Sequence, residues 1–331
     1  MLSKARNHHF VAQVEQRLNA IDSTVSKKNQ RIYSFQVNDR ERYEIELTSS
    51  NGVKIEKNLS SDDLYSFDIL NEKQRLNLEK AFGKYEQDVG NLTESLLGKL
   101  ECSNADLKGE ILEIFALKLL NTFRNPHCIE KTINIIGKFA TVQPQDDELR
   151  ELYKKIDNGN QPEKANIASE FSVTVEQYNL WIKSLFMILI PQTEQGINSL
   201  ELILKNFFDS PDLIVNVFIN SFSDTPSKHN VLLSDRGFSL SSNSEDHATY
   251  EFNLTSNAFI NYSFTDIKRF AKDSFSPEQI QSFIASRATQ PTEVKVHVNK
   301  DDTEALSRYN KNVVYQSYKN VYCKSKQVYG L

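Results

Sequence analysis

Cysteine, glycine, proline and tryptophan are all scarce in this 331-residue chain, and each shortage excludes something. The three cysteines, Cys102, Cys128 and Cys323, cannot all pair, and none stands in the close CxxC spacing of a zinc or redox site. They read as reduced thiols of a cytoplasmic protein rather than as a disulfide framework. Ten glycines and eight prolines are about half of average usage, which favours long helices over a turn-rich all-β fold. Long apolar runs are missing too. The most apolar stretch, Leu180 to Ile190, is interrupted by Lys183 and falls far short of the roughly 20 residues that cross a bilayer, so it is expected to be a buried helix with no membrane partner. Met1 to Ala20 carries Lys4, Arg6, Glu15 and Arg17 and has no apolar region of the kind a secretory signal needs. There is no GxxxxGK[ST] loop, no GxGxxG, no GxSxG elbow and no HExxH, which sets aside the readily recognised enzyme classes but not enzymes built from dispersed residues.

What is present is an ordinary globular composition, 39% hydrophobic and 25% charged, in a chain long enough to bury a sizeable core. The net charge is −5, yet both chain ends are basic and the middle is acidic. Phe10, Val14, Leu18 and Ile21 share one face of an expected helix. Arg31 to Val37 and Tyr43 to Leu47 alternate as two strands of a hairpin, turning at Asn38 to Arg40. From Asn71, an expected N-cap, the stripe Leu78, Phe82, Tyr85, Val89, Leu92 and Leu96 predicts one long helix. Further helices are expected over about 107–123, 129–139, 173–190, 197–208, 267–286 and 302–315. Strands are expected at 213–219, 230–233, 250–254, 258–264 and from Glu293 to Val298. The fold class is therefore α+β, a helix-rich core with an N-terminal hairpin and a C-terminal mixed or antiparallel sheet. A single large domain over 1–331 is expected. Within it, subregion 1–140 (hairpin plus helices) and subregion 165–331 (helices plus sheet) would be joined by an acidic surface segment, 141–164.

Candidate functional residues start at Asn7-His8-His9-Phe10-Val11. Neighbouring side chains diverge by about 100° on a helix and point to opposite faces of a strand, so the two imidazoles cannot easily share one metal ion. One of them could act while the other supports it, or both could be plain surface residues. Glu79 and Glu86 lie seven residues apart on one helical face beside Phe82, where partial desolvation would raise a carboxylate's proton affinity and suit it to acid or base work. Pairing with Lys80 and Lys84 on a solvated face is the plainer alternative. Arg124, just before Pro126, could fork onto a phosphate or cap its own helix. The tyrosines and lysines from Tyr309 to Tyr329 could stack bases, but their spacing fits a docked helix or strand better.

Arg6-Asn7-His8-His9-Phe10-Val11 resembles the HHFVPQFYL-type opening of the uncharacterised bacterial domain-of-unknown-function family 4238. Arg31 to Phe35, Asp63-Leu64-Tyr65-Ser66, Leu78-Glu79 with Glu86, Arg124-Asn125-Pro126, Leu233-Ser234-Asp235 and Tyr250 to Asn257 are similar, in order, to that family's later motifs. Ala12 stands where proline is usual, and Arg236-Gly237 stands where Asn-Pro is usual. The resemblance fixes shape more than function, and it brings Ser234 and Asp235 into the candidate site.

Two functions follow as expectations. The first is a nucleic-acid- or nucleotide-directed effector, a nuclease or other hydrolase acting for instance in antiphage defence. In it His8 or His9 serves as general base or as ligand of a divalent metal, Glu86 and Asp235 act as partners, and Arg124 with Ser234 binds substrate. The second is a non-catalytic binding or regulatory protein that acts through a protein partner. There the same polar residues tie the amino-terminal segment to the helical core.

Overall fold

The computed structural model describes residues 1–100, 106–223, 229–289 and 294–331; Cys102 and Glu293 lie outside the described residues. The fold is α+β. The chain divides into two compact units, each made of separate stretches. Met1–Ala12, Lys57–Leu92 and Leu112–Ile203 form the first, and Gln13–Glu56, Thr93–Ile111 and Leu204–Leu331 form the second. Neither unit coincides with the subregions 1–140 and 165–331, because packing groups segments that the sequence separates.

The first unit is built on the Val175–Leu189 helix. Thr174 and Gln177 close a reciprocal capping box at its start, and Trp181, Ile182, Leu185 and Phe186 are fully buried along it. Lys183, the interruption in the apolar stretch, reaches outward to pair with Asp157 at 2.5 Å. The acidic segment expected to run over the surface is instead a docked helix, Asp147–Asn158. Asp146 caps it and Tyr153 and Ile156 are buried beneath it, so its acids simply form the outer face of an amphipathic element.

The long helix expected from Asn71 starts later and is broken. The side chain of Asn71 accepts from Lys73 N at 2.9 Å, so it stabilises a turn between the strands Ser66–Asn71 and Gln74–Asn77 rather than capping a helix. Helices then run over Glu79–Glu86 and Val89–Lys99. The helix expected over 10–21 shrinks to Gln13–Arg17, because Asn7–His9 is a strand paired antiparallel with Ser60–Asp62 and Phe10 N continues that ladder to Leu59 O.

In the second unit the expected hairpin is present. Arg31–Asp39 pairs with Glu44–Leu47, and the turn is closed by Tyr43 in the left-handed region at φ 58°. These strands share a sheet with Asn320–Cys323 and Leu233–Ser234; of the strand expected at 230–233 only Leu233 falls in a ladder. A five-stranded sheet runs in the order Ser239–Asn243, His247–Thr255, Ala258–Asp266, Leu213–Ser221, Lys295–Lys300. Its last strand is parallel to its neighbour, so the sheet is mixed. The Thr303–Gln316 helix buries Leu306, Tyr309, Val313 and Val314. The helix expected over 267–286 is split into Ile267–Ala271 and Pro277–Ala288, with Ser276 and Gln279 forming a capping box and Pro277 in the first turn. Cys323 is buried, and burial pushes its thiol up to about 12. Among the described residues no helix is long and apolar enough to cross a membrane.

Candidate functional site

Four of the candidate residues, His8, His9, Glu86 and Arg124, fall in the first unit, and three of these are linked through one side chain absent from the candidate set, Tyr65. The Asn7–His9 strand buries both imidazoles, and His8 has no exposure at all. Its Nδ1 accepts the backbone N–H of Tyr65 at 3.0 Å, which places the ring proton on Nε2, 3.1 Å from Ala5 O. Asn77 Nδ2 lies 3.2 Å from the same Nε2. A doubly protonated ring would set one N–H against the N–H of Tyr65. Burial, with smaller contributions from Arg75 and His9 and against the pull of the Ala5 carbonyl, holds His8 down to about 4. At neutral pH it is an uncharged imidazole with both nitrogens engaged.

The Tyr65 ring stacks on His8 with centroids 5.5 Å apart and meets the edge of Phe82 at 4.7 Å. Its hydroxyl donates to Arg124 O at 2.8 Å, while Trp181 Nε1 donates to Phe123 O at 2.7 Å. The final carbonyls of the Lys108–Arg124 helix are thereby satisfied by side chains. The Arg124 side chain is 1% exposed. It pairs with Glu86 at 2.5 Å, donates to Asn121 Oδ1 at 2.7 Å and lies 4.9 Å above the Phe82 ring. Burial alone would lower the guanidinium, but Glu86, with Tyr65 and Glu79 adding, turns the net shift upward. Arg124 is therefore neither a simple helix cap nor an exposed phosphate fork.

Glu79 differs from Glu86, although both project from one short helix. Burial, reinforced by Glu86 and opposed by Arg124, raises it to about 7, and its Oε1 is buried without a hydrogen-bond partner. Glu86 remains 30% exposed and holds the arginine directly. The Asp63-to-Ser66 turn completes the cluster. Asp63, in the left-handed region at φ 55°, pairs with buried Arg75 at 2.7 Å and accepts from Ser66 Oγ at 2.8 Å.

Ser234 and Asp235 belong to the second unit. Asp235 accepts three successive backbone N–H groups, from Tyr318, Lys319 and Asn320, at 2.7, 2.7 and 2.8 Å. Burial raises its proton affinity against the pull of those donors. Ser234 Oγ accepts from Arg236 N at 3.0 Å in a turn that Gly237 completes at φ 79°. Both side chains brace the strand pair Leu233–Ser234 and Asn320–Cys323.

The geometry thus brings together His8, Tyr65, Asn77, Glu79, Glu86 and Arg124. The residues that sequence reasoning missed are Tyr65 and Asn77. Tyr65 lies inside a motif that carries the family resemblance, and that was the one available signal. Among the described residues no group of three or more His, Cys, Asp and Glu side chains could hold a metal ion. A scan of family models and searches of curated proteins and of solved structures each find nothing that matches this chain, so the resemblance to family 4238 stands on its short motifs alone.

Proposed function

We propose that this chain is a non-catalytic binding protein in which His8, Tyr65, Glu86 and Arg124 lock the first unit together while recognition is left to an open surface. One observation carries the reading: the imidazole and the guanidinium that a hydrolase would use as base and phosphate clamp are already engaged inside the fold. Both nitrogens of His8 are engaged, and Arg124 is held by Glu86 and Asn121 with almost no exposure. The motifs that resemble family 4238 contain these same buried residues, which supports a shared architecture rather than a shared reaction.

The test is a turnover assay on the full-length chain with single-stranded DNA, duplex DNA, RNA and nucleoside triphosphates, with magnesium or manganese. The reading expects no product from the wild type and lowered melting temperatures for His8→Asn, Glu86→Gln and Arg124→Met. Turnover that these substitutions abolish at unchanged melting temperature would overturn it.

A second reading, a nucleic-acid- or nucleotide-directed hydrolase of the kind used in antiphage defence, is favoured by Glu79. A carboxyl held near 7 with an unpartnered oxygen has the proton affinity of a general acid or base. Its signature would be a product-forming rate that follows a group titrating near neutrality and disappears in Glu79→Gln.

A further inference from the structure

The second unit contains a recess of about 660 Å³, within the range of roughly 300–1,000 Å³ typical of small-ligand sites. Its floor is one face of the five-stranded sheet, and the two-residue period of the strands makes that face largely polar, with Phe218 and Phe259 set among the polar side chains. Asn261 and Ser263 alternate with the buried Ile260, Tyr262 and Phe264, and Thr249 and Glu251 alternate with Tyr250 and Phe252. Asn220 continues the floor on the Leu213–Ser221 strand. One wall is the Thr303–Gln316 helix with its cap, presenting Asp302, Ala305, Arg308 and Asn312 at spacings of three, three and four. Tyr43 and Phe218 supply aromatic edges.

Several of these polar groups are fixed before any ligand arrives. Asn299 Nδ2 donates to Asn220 Oδ1 at 3.0 Å, and Glu251 Oε2 accepts from Ser239 Oγ at 2.8 Å and from Asn312 Nδ2 at 3.2 Å. The His247 ring is held between the hydroxyls of Thr265 and Thr249, each at 2.9 Å. Such bracing is what a preorganised binding surface requires. One group is left wanting: Asn261 lines the recess, and its Oδ1 is closed off from solvent without a hydrogen-bond partner, so the amide must turn toward the recess to gain one. A buried acceptor without a donor is costly unless a ligand supplies one.

We propose that this recess binds a neutral, polyhydroxylated ligand, a short sugar of more than one ring. The inference rests on the binding reading above and gives it a ligand class. Amides and hydroxyls offer donors and acceptors side by side, which matches the dual character of sugar hydroxyls. The charges argue against an anion. Glu251 sits on the floor and Asp302 on the wall, whereas Arg308 is paired with Glu304 at 2.7 Å and Lys311 lies over the Tyr43 ring at 5.5 Å. The cations at the recess are thus matched by acids and by these contacts, so no excess of positive charge is assembled there for a phosphate.

The test is saturation-transfer NMR on the full-length chain with millimolar maltose, cellobiose, sucrose and chitobiose, and with ATP as the anionic probe. Saturation of at least one sugar and not of ATP is expected, with affinity lowered at least about tenfold in Asn261→Ala at an unchanged melting temperature. Should that variant fail to fold, Tyr43→Asn removes an aromatic edge while tolerating the left-handed backbone, and it is expected to weaken the same signal. No sugar signal, ATP binding in place of sugar, or sugar binding indifferent to both variants would overturn the proposal and leave the non-catalytic reading intact. New anomeric resonances from a cleaved disaccharide would do the reverse, retaining the sugar site and ending the non-catalytic reading.

Discussion

In the first unit, polar side chains turn inward and charge is buried: Arg124 beside Glu86 and Glu79, Arg75 against Asp63, and a neutral His8 between backbone groups. In the second unit, amides and hydroxyls line an open recess whose two cations already have internal partners. The contrast follows from the cost of desolvation. A buried ion must be compensated by the protein itself, so once it is satisfied it becomes structure and has little left for a ligand. An amide pays far less for partial burial, so it can remain incompletely bonded and await a partner. Counting polar residues would rate both regions as sites; asking whether the polar groups line an open recess separates them, because the unbonded Glu79 Oε1 of the first unit is buried.

The comparison can be broken most forcefully at Arg124. Arg124→Ala is expected to destabilise the chain by about 3–5 kcal/mol, because it removes the partner of Glu86 and opens a cavity against Phe82. Urea unfolding at pH 7 measures this loss directly. A change below about 1 kcal/mol would mean that the first unit does not depend on its buried charge.

Next in size is the acid response of His8. Its proton affinity in the fold lies at about 4, below the ordinary 6.5, so between those values the unfolded chain binds more protons than the folded one. Its contribution is complete above pH 6.5 and is lost as the pH falls toward about 4, by as much as about 3 kcal/mol. His8→Asn should flatten this part of the profile, at a fixed cost of about 1–3 kcal/mol if the Tyr65 N–H loses its acceptor.

Glu79 has the opposite sign. Raised from 4.5 to about 7, it holds a proton in the fold that the unfolded chain releases, so stability declines as the pH rises from 4.5 through 7. Between 4.5 and 6.5 the two groups offset each other, and the wild type should show a shallow profile there. Glu79→Gln should steepen it by leaving His8 unopposed, and should raise stability at pH 8 by about 1–2 kcal/mol. Melting temperatures across a pH series would show whether the two slopes separate as described.

The smallest expected effect marks the other region. Asn261→Ala in the recess should change unfolding stability by no more than about 1 kcal/mol, because its Oδ1 accepts no internal hydrogen bond. A larger loss, seen in the same urea series, would show that the second unit also uses its polar face as structure.

The parts of this account that were legible in the sequence are those governed by local periodicity. The hairpin Arg31–Asp39 with Glu44–Leu47 follows from alternation, and the Val175–Leu189 helix follows from an apolar run too short for a bilayer. Asn71 was misleading because the same side chain that caps a helix also closes a turn, and only the pairing of Ser66–Asn71 with Gln74–Asn77 decides between them. His8 and Arg124 could be singled out as unusual, but their roles depend on Tyr65, which lies 57 and 59 positions away in sequence. Glu79 and Glu86 share a helical face and still differ in burial, a tertiary fact with no sequence counterpart. The recess did leave a trace: polar and apolar residues alternate strictly from His247 to Phe252 and from Asn261 to Phe264. Alternation alone reads as a solvated sheet face, and a helix packed over that face is what turns it into a cleft.

The most direct test of the claim that the first unit's polar cluster is structural is a double-mutant cycle between Glu86→Gln and Arg124→Met, followed by urea unfolding at pH 7. The account predicts that each single substitution is costly and that the double variant costs clearly less than their sum, with a coupling of about 2 kcal/mol or more. Two singly substituted proteins within about 0.5 kcal/mol of wild type, both lacking a turnover that the wild type performs, would contradict it.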